Sequence, residues 1–253
     1  SCKHKEKAFD YSDCLPVNPK SSDAYIVEFP KSGITWLSTI IANINLIESN
    51  SIQRATYYNI QQLIPDIHMN RYIADLPLWN VPSYRFIKSH HQFCKQYNHV
   101  IYLVRNPVSV MNSYYFYTNS LKLFTGSFSD FVEHTDFGIN AWKKHVESWL
   151  MRGDSSQRLH LIKYEDMKLD AFSTIKGLYL NLGVMVNDQS IKEAVSLASF
   201  DLMKHSEALY RKNNPNVALT FIREGKIKSQ GIELDVEKFI LDSTESIREE
   251  LGY

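Results

Sequence analysis

Short apolar runs alternate with longer amphipathic stretches along most of the chain. Four runs are rich in β-branched and aromatic residues, as buried strands are: 24–29, 84–88, 99–104 and 158–164. Three stretches repeat apolar residues at helical spacing: 35–47, 107–117 and 140–151. The chain beyond Phe172 has a mostly helical pattern. Strands that alternate with helices predict an α/β fold with a central parallel sheet flanked by helices.

The length and the continuity of this pattern predict one domain. The chain has 253 residues, with no internal repeat and no linker rich in Pro, Gly or Ser. We expect an N-terminal extension over residues 1–23 and the domain over residues 24–253. Because ligands of parallel sheets bind beyond the carboxyl ends of the strands, candidate chemistry is sought where each strand ends.

The first strand is followed by a short loop that has the composition of an anion site. Residues 29–36 read Phe-Pro-Lys-Ser-Gly-Ile-Thr-Trp, and the helical pattern begins within them. Backbone N–H groups at a helix start attract anions, and Lys31 adds a full positive charge. The sequence G-x-x-x-x-G-K-[ST] of nucleotide-binding P-loops is absent. A plain turn with an exposed Lys31 is the alternative interpretation.

The second and third strands also end in polar residues that could carry chemistry. Arg105 closes the most apolar strand and suits a forked contact with phosphate, and Ser113 follows eight residues later. His90 follows the second strand, where it could act as a general base near neutral pH. Taken alone, an Arg such as Arg105 is more often part of a structural ion pair, and His91 competes with His90 for the role of base.

Charge, cysteine content and hydropathy exclude several classes of protein. The 28 basic and 28 acidic residues balance, which argues against a nucleic-acid partner. The three cysteines, Cys2, Cys14 and Cys94, are too few and too widely spaced for a disulfide framework or a zinc site. No apolar stretch approaches the ~18 residues of a membrane span. We therefore predict a cytoplasmic protein without a metal and without a membrane partner.

Taken together, the strand-end motifs resemble those of the sulfotransferases that use 3′-phosphoadenosine 5′-phosphosulfate (PAPS), in their cytosolic branch. Residues 29–36 are similar to the family's Y-P-K-S-G-T-T-W, and residues 87–90, Ile-Lys-Ser-His, to its I-K-T-H. Residues 102–115 resemble its Y-x-x-R-N-P-x-x-x-x-x-S-Y-Y stretch. Later matches are Tyr-Glu-Asp-Met at 164–167, Ser199-Phe200 with Met203, and Arg-Glu-Gly at 223–225. The motifs follow the family's order and span about residues 24–231.

The resemblance implies a P-loop-like fold and a role for each matching residue. His90 would be the general base, Lys31 would steady the leaving oxygen, and Lys88 would support the transferring group. The cradle of the 5′-phosphosulfate would consist of Lys31, Ser32, Gly33, Ile34 (through its backbone) and Thr35. The 3′-phosphate would be held by Arg105, Ser113, Arg223 and Gly225. The adenine would be framed by Trp36, Tyr164, Ser199 and Phe200.

PAPS is then the expected donor, 3′-phosphoadenosine 5′-phosphate (PAP) the product, and a hydroxyl or amine of a small molecule the acceptor. Residues 57–82 and 120–137 are the expected walls of the acceptor pocket. The chain departs from the family at Ile34, where the family has Thr, and at Glu224, where it has Lys beside the 3′-phosphate. The family's C-terminal dimerisation sequence is missing, so we expect a monomer or a weak oligomer.

Three alternative functions remain open at this point. A P-loop nucleotide kinase predicts Lys directly after the last Gly of the loop, where this chain has Ile34. A non-catalytic nucleotide-binding protein predicts loss of the base, whereas His90 and Lys31 are both present. A membrane-anchored carbohydrate sulfotransferase is the runner-up within the family; the Ile-Lys-Ser-His motif and the absent anchor argue against it.

Overall fold

The structure, a computed structural model, describes residues 14–74, 84–151, 157–215 and 234–253. Its centre is a four-stranded parallel sheet in the order β2-β1-β3-β4. The strands are β1 (Asp23–Glu28), β2 (Arg85–Ser89), β3 (His99–Val104) and β4 (Arg158–Lys163). The predicted α/β fold with a central parallel sheet is therefore confirmed.

Helices cover both faces of this sheet. In chain order they are α1 (Ile34–Glu48), α2 (Ile60–Leu63), α3 (Pro107–Ser120), α4 (Phe128–Val132), α5 (Ile139–Leu150), α6 (Tyr164–Leu169), α7 (Ala171–Asn181), α8 (Asp188–Leu197), α9 (Phe200–Asn213) and α10 (Leu234–Leu251). Helix α3 begins at Pro107, and its N-cap Asn106 accepts the N–H of Val108 at 3.0 Å. None of the helices in the described ranges is long and apolar enough to cross a bilayer.

The alternation of side chains along β1 divides the core into two clusters. Ala24 and Ile26 belong to one cluster, which includes apolar residues of α1, α7 and α8. Tyr25 and Val27 belong to the other, which includes residues of α3, α5 and α10. All six residues of β1 are buried, as expected of a central strand covered on both faces. The strand therefore ends inside the protein, and Glu28 at its carboxyl end is also buried.

The sequence-based expectation that the cysteines form no disulfide is wrong for one pair. Cys14 and Cys94 are bonded, with their Cα atoms 6.7 Å apart and a sequence separation of 80. The hydroxyl of Tyr97 donates to the carbonyl oxygen of Cys14 at 2.5 Å. Wide spacing in sequence does not prevent pairing, because the fold brings the segment before β1 against the segment after β2. The cysteine argument for a cytoplasmic protein is thereby removed, and that location stays a prediction.

The segment before β1 is attached to the domain at further points. The N–H of Val17 donates to the carbonyl oxygen of Arg71 at 2.8 Å. At the start of the sheet, the Arg85 guanidinium forms a buried ion pair with Asp23 at 2.6 Å. Strand β1 includes Asp23, whereas the sequence placed the start of the domain at residue 24.

Candidate active site

The carboxyl ends of β1, β2 and β3 lie side by side and bring the predicted residues to one edge of the sheet. Strand β1 pairs with both β2 and β3, so the loop at residues 29–33 lies between His90 and Arg105. Arg105 Nη1 donates to the carbonyl oxygen of Lys31 at 3.2 Å, which ties the first loop to the end of β3. The three strand-end motifs therefore form one site.

The loop after β1 has an unusual backbone conformation that requires glycine at position 33. Lys31 and Gly33 both have positive φ values, 74° and 115°. A Cβ atom on Gly33 would lie 2.7 Å from Cδ2 of Tyr164, so a larger residue would displace that ring. Ser32 is buried, and its hydroxyl donates to the carbonyl oxygen of Phe29 at 2.8 Å. Thr35 is exposed on the first turn of α1.

The most unusual group in this loop is the carboxyl group of Glu28, which the motifs did not single out. It is only 2% exposed, and its Oε2 accepts the backbone N–H of Ile34 at 2.9 Å. Ile34 was expected to offer this same N–H to the 5′-phosphate. Burial raises the pKa of Glu28 to about 8, although loop N–H groups and the positive charge of Lys31 favour its ionised form. An acidic residue in an otherwise apolar strand was the clue in the sequence.

His90 is oriented with one ring nitrogen toward the protein. Its Nδ1 lies 3.3 Å from the carbonyl oxygen of Glu28 and 3.9 Å from the Oε1 atom of the same residue. Because a carbonyl oxygen only accepts hydrogen bonds, this contact assigns the proton to Nδ1 and leaves a lone pair on Nε2. Burial lowers the pKa of His90, which keeps the ring neutral near pH 7. A neutral imidazole with a free Nε2 has the form that a general base requires.

The backbone of His90 is held by two further histidines. Its N–H donates to Nε2 of His68 at 2.8 Å, and its carbonyl oxygen lies 3.0 Å from Nε2 of His145. Because the carbonyl oxygen of His90 only accepts, the proton of His145 is on Nε2. Its Nδ1 therefore accepts a hydrogen bond from the hydroxyl of Tyr102, at 2.8 Å. Burial lowers the pKa of His145 to about 3 and also lowers the pKa of His68. Both rings are therefore neutral in the form that these bonds need.

A short extended segment beside β2 explains how His68 reaches His90. The N–H of Lys88 donates to the carbonyl oxygen of Pro65 at 2.8 Å, and the carbonyl oxygen of Lys88 accepts the N–H of Ile67 at 3.1 Å. Asp66, between these two residues, thereby forms a parallel β-bridge with Lys88. Lys88 is half-buried, and this burial lowers its pKa, while Asp66 and Glu28 favour its charged form. The segment places Asp66 next to the cation and His68 next to the imidazole of His90.

Arg105 lies between the phosphate loop and an aromatic pair. Its guanidinium carbon is 4.2 Å from the centroid of the Tyr164 ring, which meets Trp36 edge-to-face at 5.6 Å. Its buried Nε has no hydrogen-bond acceptor among the described residues. Because a buried guanidinium N–H without a partner is costly, this atom fits an anion such as phosphate. Ser113 is half-buried on α3, the helix that begins two residues after Arg105.

The remaining predicted residues fall into two groups. Ser199 caps α9 by accepting the N–H of Leu202 at 3.4 Å, and Phe200 packs at the border of the core cluster that Trp36 also contacts. Arg223 and Gly225 lie outside the described residues, as does Glu224. Within the described ranges, no group of three or more His, Cys, Asp or Glu side chains is arranged to hold a metal ion.

Known proteins resemble this chain over most of its length. The family described as "Sulfotransferase domain" matches residues 21–245. Bovine sulfotransferase 1E1 is 28% identical over 230 residues, 82% of this chain and 76% of the relative. Rat sulfotransferase 2A1 is 29% identical over 223 residues, 82% of this chain and 77% of the relative.

Solved structures share the fold at lower sequence identity. Mouse sulfotransferase SULT7A1 complexed with PAP has a TM-score of 0.61 and 23% identity, covering 93% of this chain and 86% of that one. Retinol dehydratase in complex with androsterone and the inactive cofactor PAP has a TM-score of 0.64 and 18% identity, covering 90% and 82%. The expected P-loop-like sulfotransferase fold is confirmed. Because the family match covers the sheet and the whole strand-end site, the chain belongs to the sulfotransferase family, as an enzyme that uses PAPS.

Proposed function

We propose that this protein transfers a sulfonate group from PAPS to a hydroxyl or amine of a small molecule, with His90 as the general base. The observation that carries the proposal is the tautomer of His90: Nδ1 is engaged by the Glu28 carbonyl oxygen at 3.3 Å, which leaves Nε2 free. Nε2 takes the proton of the acceptor as the acceptor oxygen or nitrogen forms its bond to sulfur. The bond between sulfur and the 5′-phosphate oxygen breaks in the same step, and PAP leaves with that oxygen. Loss of such a base typically costs on the order of 10²–10⁴-fold in rate.

Cations at the ends of β1 and β2 would stabilise the charges of the reaction. The donor supplies a sulfonate group activated by its linkage to the 5′-phosphate. Lys31 is the cation of the phosphate loop and stabilises the charge that develops on the leaving oxygen. Lys88 lies on the neighbouring strand, two residues before the base, and binds the oxygens of the transferring group.

The nucleotide part of the donor would be bound by the loop and by the residues around Arg105. Ser32, Gly33, Ile34 and Thr35 surround the 5′ end, and the unpaired Nε of Arg105 supports a 3′-phosphate site shared with Ser113. Arg223 and Gly225 complete that site by resemblance only. Trp36, Tyr164 and Phe200 offer flat surfaces to the adenine, with Ser199 as a polar neighbour. Both solved structures of similar fold described above contain PAP, which agrees with this nucleotide.

The acceptor is proposed to be a small molecule with an apolar body. The structure describes residues 57–74 and 120–137 of the two expected walls of the acceptor pocket. Aromatic contacts join the wall at 120–137 to α3. Phe131 meets the rings of Tyr114 and Tyr115 at 5.7 and 5.5 Å, and Phe137 meets Tyr114 at 5.5 Å. Aromatic walls favour apolar ring systems over sugars. A panel of phenols, alcohols, amines and sugars tested with labelled PAPS identifies the class, and exclusive sulfonation of sugars would contradict this part of the proposal.

The base is tested by His90→Ala with His91→Ala as its neighbouring control. We expect His90→Ala to lose at least 10²-fold in turnover with the best acceptor of the panel, while its affinity for PAP stays within a few-fold of the parent. His91→Ala should keep most of the activity. An active His90→Ala protein together with an inactive His91→Ala protein would assign the role to the other histidine.

A further inference from the structure

The carboxyl group of Glu28 lies where the proposed donor site needs N–H donors for an anion. It accepts the N–H of Ile34 at 2.9 Å, at the first turn of α1, inside the loop that holds Lys31 and Ser32. No side chain caps this helix from the N-cap position, because that position is Gly33. Glu28 therefore satisfies a loop N–H, and a phosphate entering the loop meets this carboxyl group.

Two anions at this place repel each other strongly. Glu28 is buried, so water screens its charge poorly. The terminal 5′-phosphate of PAP is a dianion above its second pKa of ~6, and the phosphate within the phosphosulfate of PAPS carries one negative charge. A protonated carboxyl group removes the repulsion. Its carbonyl oxygen still accepts the N–H of Ile34, and its new O–H can donate to a phosphate oxygen, a short and charge-assisted type of hydrogen bond.

We propose that Glu28 binds the 5′-phosphate of the donor nucleotide as a neutral carboxylic acid, so that the nucleotide and one proton bind together. This inference rests on the proposed donor site. The raised pKa of Glu28, about 8, agrees with a group that already carries its proton near neutral pH. The titratable groups that act on Glu28 or are affected by it come from the loop and from both neighbouring strands: Lys31, Lys88, His90, Tyr102 and Arg105.

The inference predicts how PAP binding depends on pH. The stabilising interaction is present while Glu28 is protonated, below a pKa of about 8, and is lost as the pH rises through that value. For one linked proton, the dissociation constant of PAP then increases about tenfold between pH 7 and pH 9. The number of protons taken up per PAP bound equals the ionised fraction of the free protein, which is about one half at pH 8 and about 0.9 at pH 9.

The experiment is titration calorimetry of the full chain with PAP at pH 8 and pH 9, in pairs of buffers that differ in ionisation enthalpy. Glu28→Gln is the test variant, because an amide oxygen still accepts the N–H of Ile34 but the side chain does not titrate. We expect the parent to take up about 0.9 proton at pH 9. We expect Glu28→Gln to lose this uptake and to bind PAP with an affinity nearly independent of pH.

A matched control separates Glu28 from other buried carboxyl groups. Glu207→Gln alters another buried carboxyl group, which accepts from Tyr57 at 3.2 Å on a different part of the molecule, and should leave the proton uptake unchanged.

Each outcome decides one point. Unchanged uptake in Glu28→Gln would assign the proton to Lys88 or another group and overturn the inference while leaving the donor site intact. Absence of uptake in the parent at pH 9 would overturn it even if the variant did not fold. Absence of PAP binding at both pH values would overturn the proposed donor site itself.

Discussion

In the proposed donor site, Arg105 is the residue on which we expect recognition of the 3′-phosphate to depend most. Its Nη1 is engaged by the Lys31 carbonyl oxygen and its guanidinium lies on the Tyr164 ring, yet its buried Nε lacks an acceptor within the described part of the chain. A forked cation with a free buried donor is suited to phosphate. The 3′-phosphate is the group that PAP has and ADP lacks, so the preference between these two nucleotides should depend on this side chain.

We predict that PAP without added Mg²⁺ stabilises the protein much more than ADP at the same concentration. At ~100 times its dissociation constant, PAP should raise the free energy of unfolding by about 2.7 kcal/mol and the Tm by roughly 5–10 °C. Arg105→Ala should remove most of the difference, as measured by thermal unfolding. Arg54→Ala, which breaks the partly exposed ion pair with Glu193, is the control and should keep the preference. Equal stabilisation by ADP or by ATP with Mg²⁺ would contradict the 3′-phosphate site.

At the scale of elements, the extended segment after α2 is as important for the site as the strands themselves. It pairs with the edge of β2 at Asp66 and Lys88 and continues to His68, whose Nε2 accepts the N–H of His90. The His68 and His90 rings are also nearly parallel, with centroids 5.5 Å apart. The segment therefore fixes the backbone and the ring of the proposed base from outside the sheet.

We predict that His68→Ala lowers kcat roughly tenfold, with little change in PAP binding, because the base loses its backbone anchor (about 1.4 kcal/mol, one ordinary hydrogen bond). His68→Gln should restore most of the activity, since the Gln oxygen can accept the same N–H. In the parent, activity should fall in acid, because His68 gains a proton at Nε2 and can no longer accept the N–H of His90. A comparison of pH profiles checks this. Equal losses in the Ala and Gln variants would contradict a role as hydrogen-bond acceptor.

At the scale of the whole molecule, the Cys14–Cys94 bond joins the segment before β1 to the connection between β2 and β3. The loop it closes contains β1, α1 and β2, and Cys94 follows His90 by four residues. Closing a loop of 80 residues reduces the freedom of the unfolded chain and is worth roughly 4 kcal/mol in the chain-entropy treatment. The expectation of a monomer or weak oligomer concerns the same scale and stays a prediction.

We predict that reduction with dithiothreitol lowers the Tm by about 10 °C or more, because a loss of ~4 kcal/mol corresponds to several degrees per kcal/mol in a chain of this size. Calorimetry of reduced and oxidised protein measures the difference. Cys2→Ser is the matched control and should respond to reduction as the parent does. A Tm that is the same with and without reductant would show that this bond contributes nothing to stability.

The sequence by itself determined the four strands of the parallel sheet, their succession along the chain and the family. Buried strands and amphipathic helices follow from local spacing, so the predicted strand at 99–104 coincides with β3 and the helix predicted at 35–47 falls within α1. The strand-end motifs are also local, each within about 14 residues, and the carboxyl ends of parallel strands necessarily meet at one edge. The site could therefore be located before its geometry was known.

Only the tertiary structure decided which groups act on those motifs. Glu28 belongs to the first strand, and burial is what raises the pKa of its carboxyl group. Residue spacing in the sequence does not predict how deeply that carboxyl group is buried. His68 and His145 reach His90 from 22 and 55 residues away, and Cys14 reaches Cys94 across 80. Such contacts depend on how the connections between strands pack against the sheet. Periodicity describes one element at a time, so the partners of His90, the burial of Glu28 and the disulfide appear only once the elements are packed together.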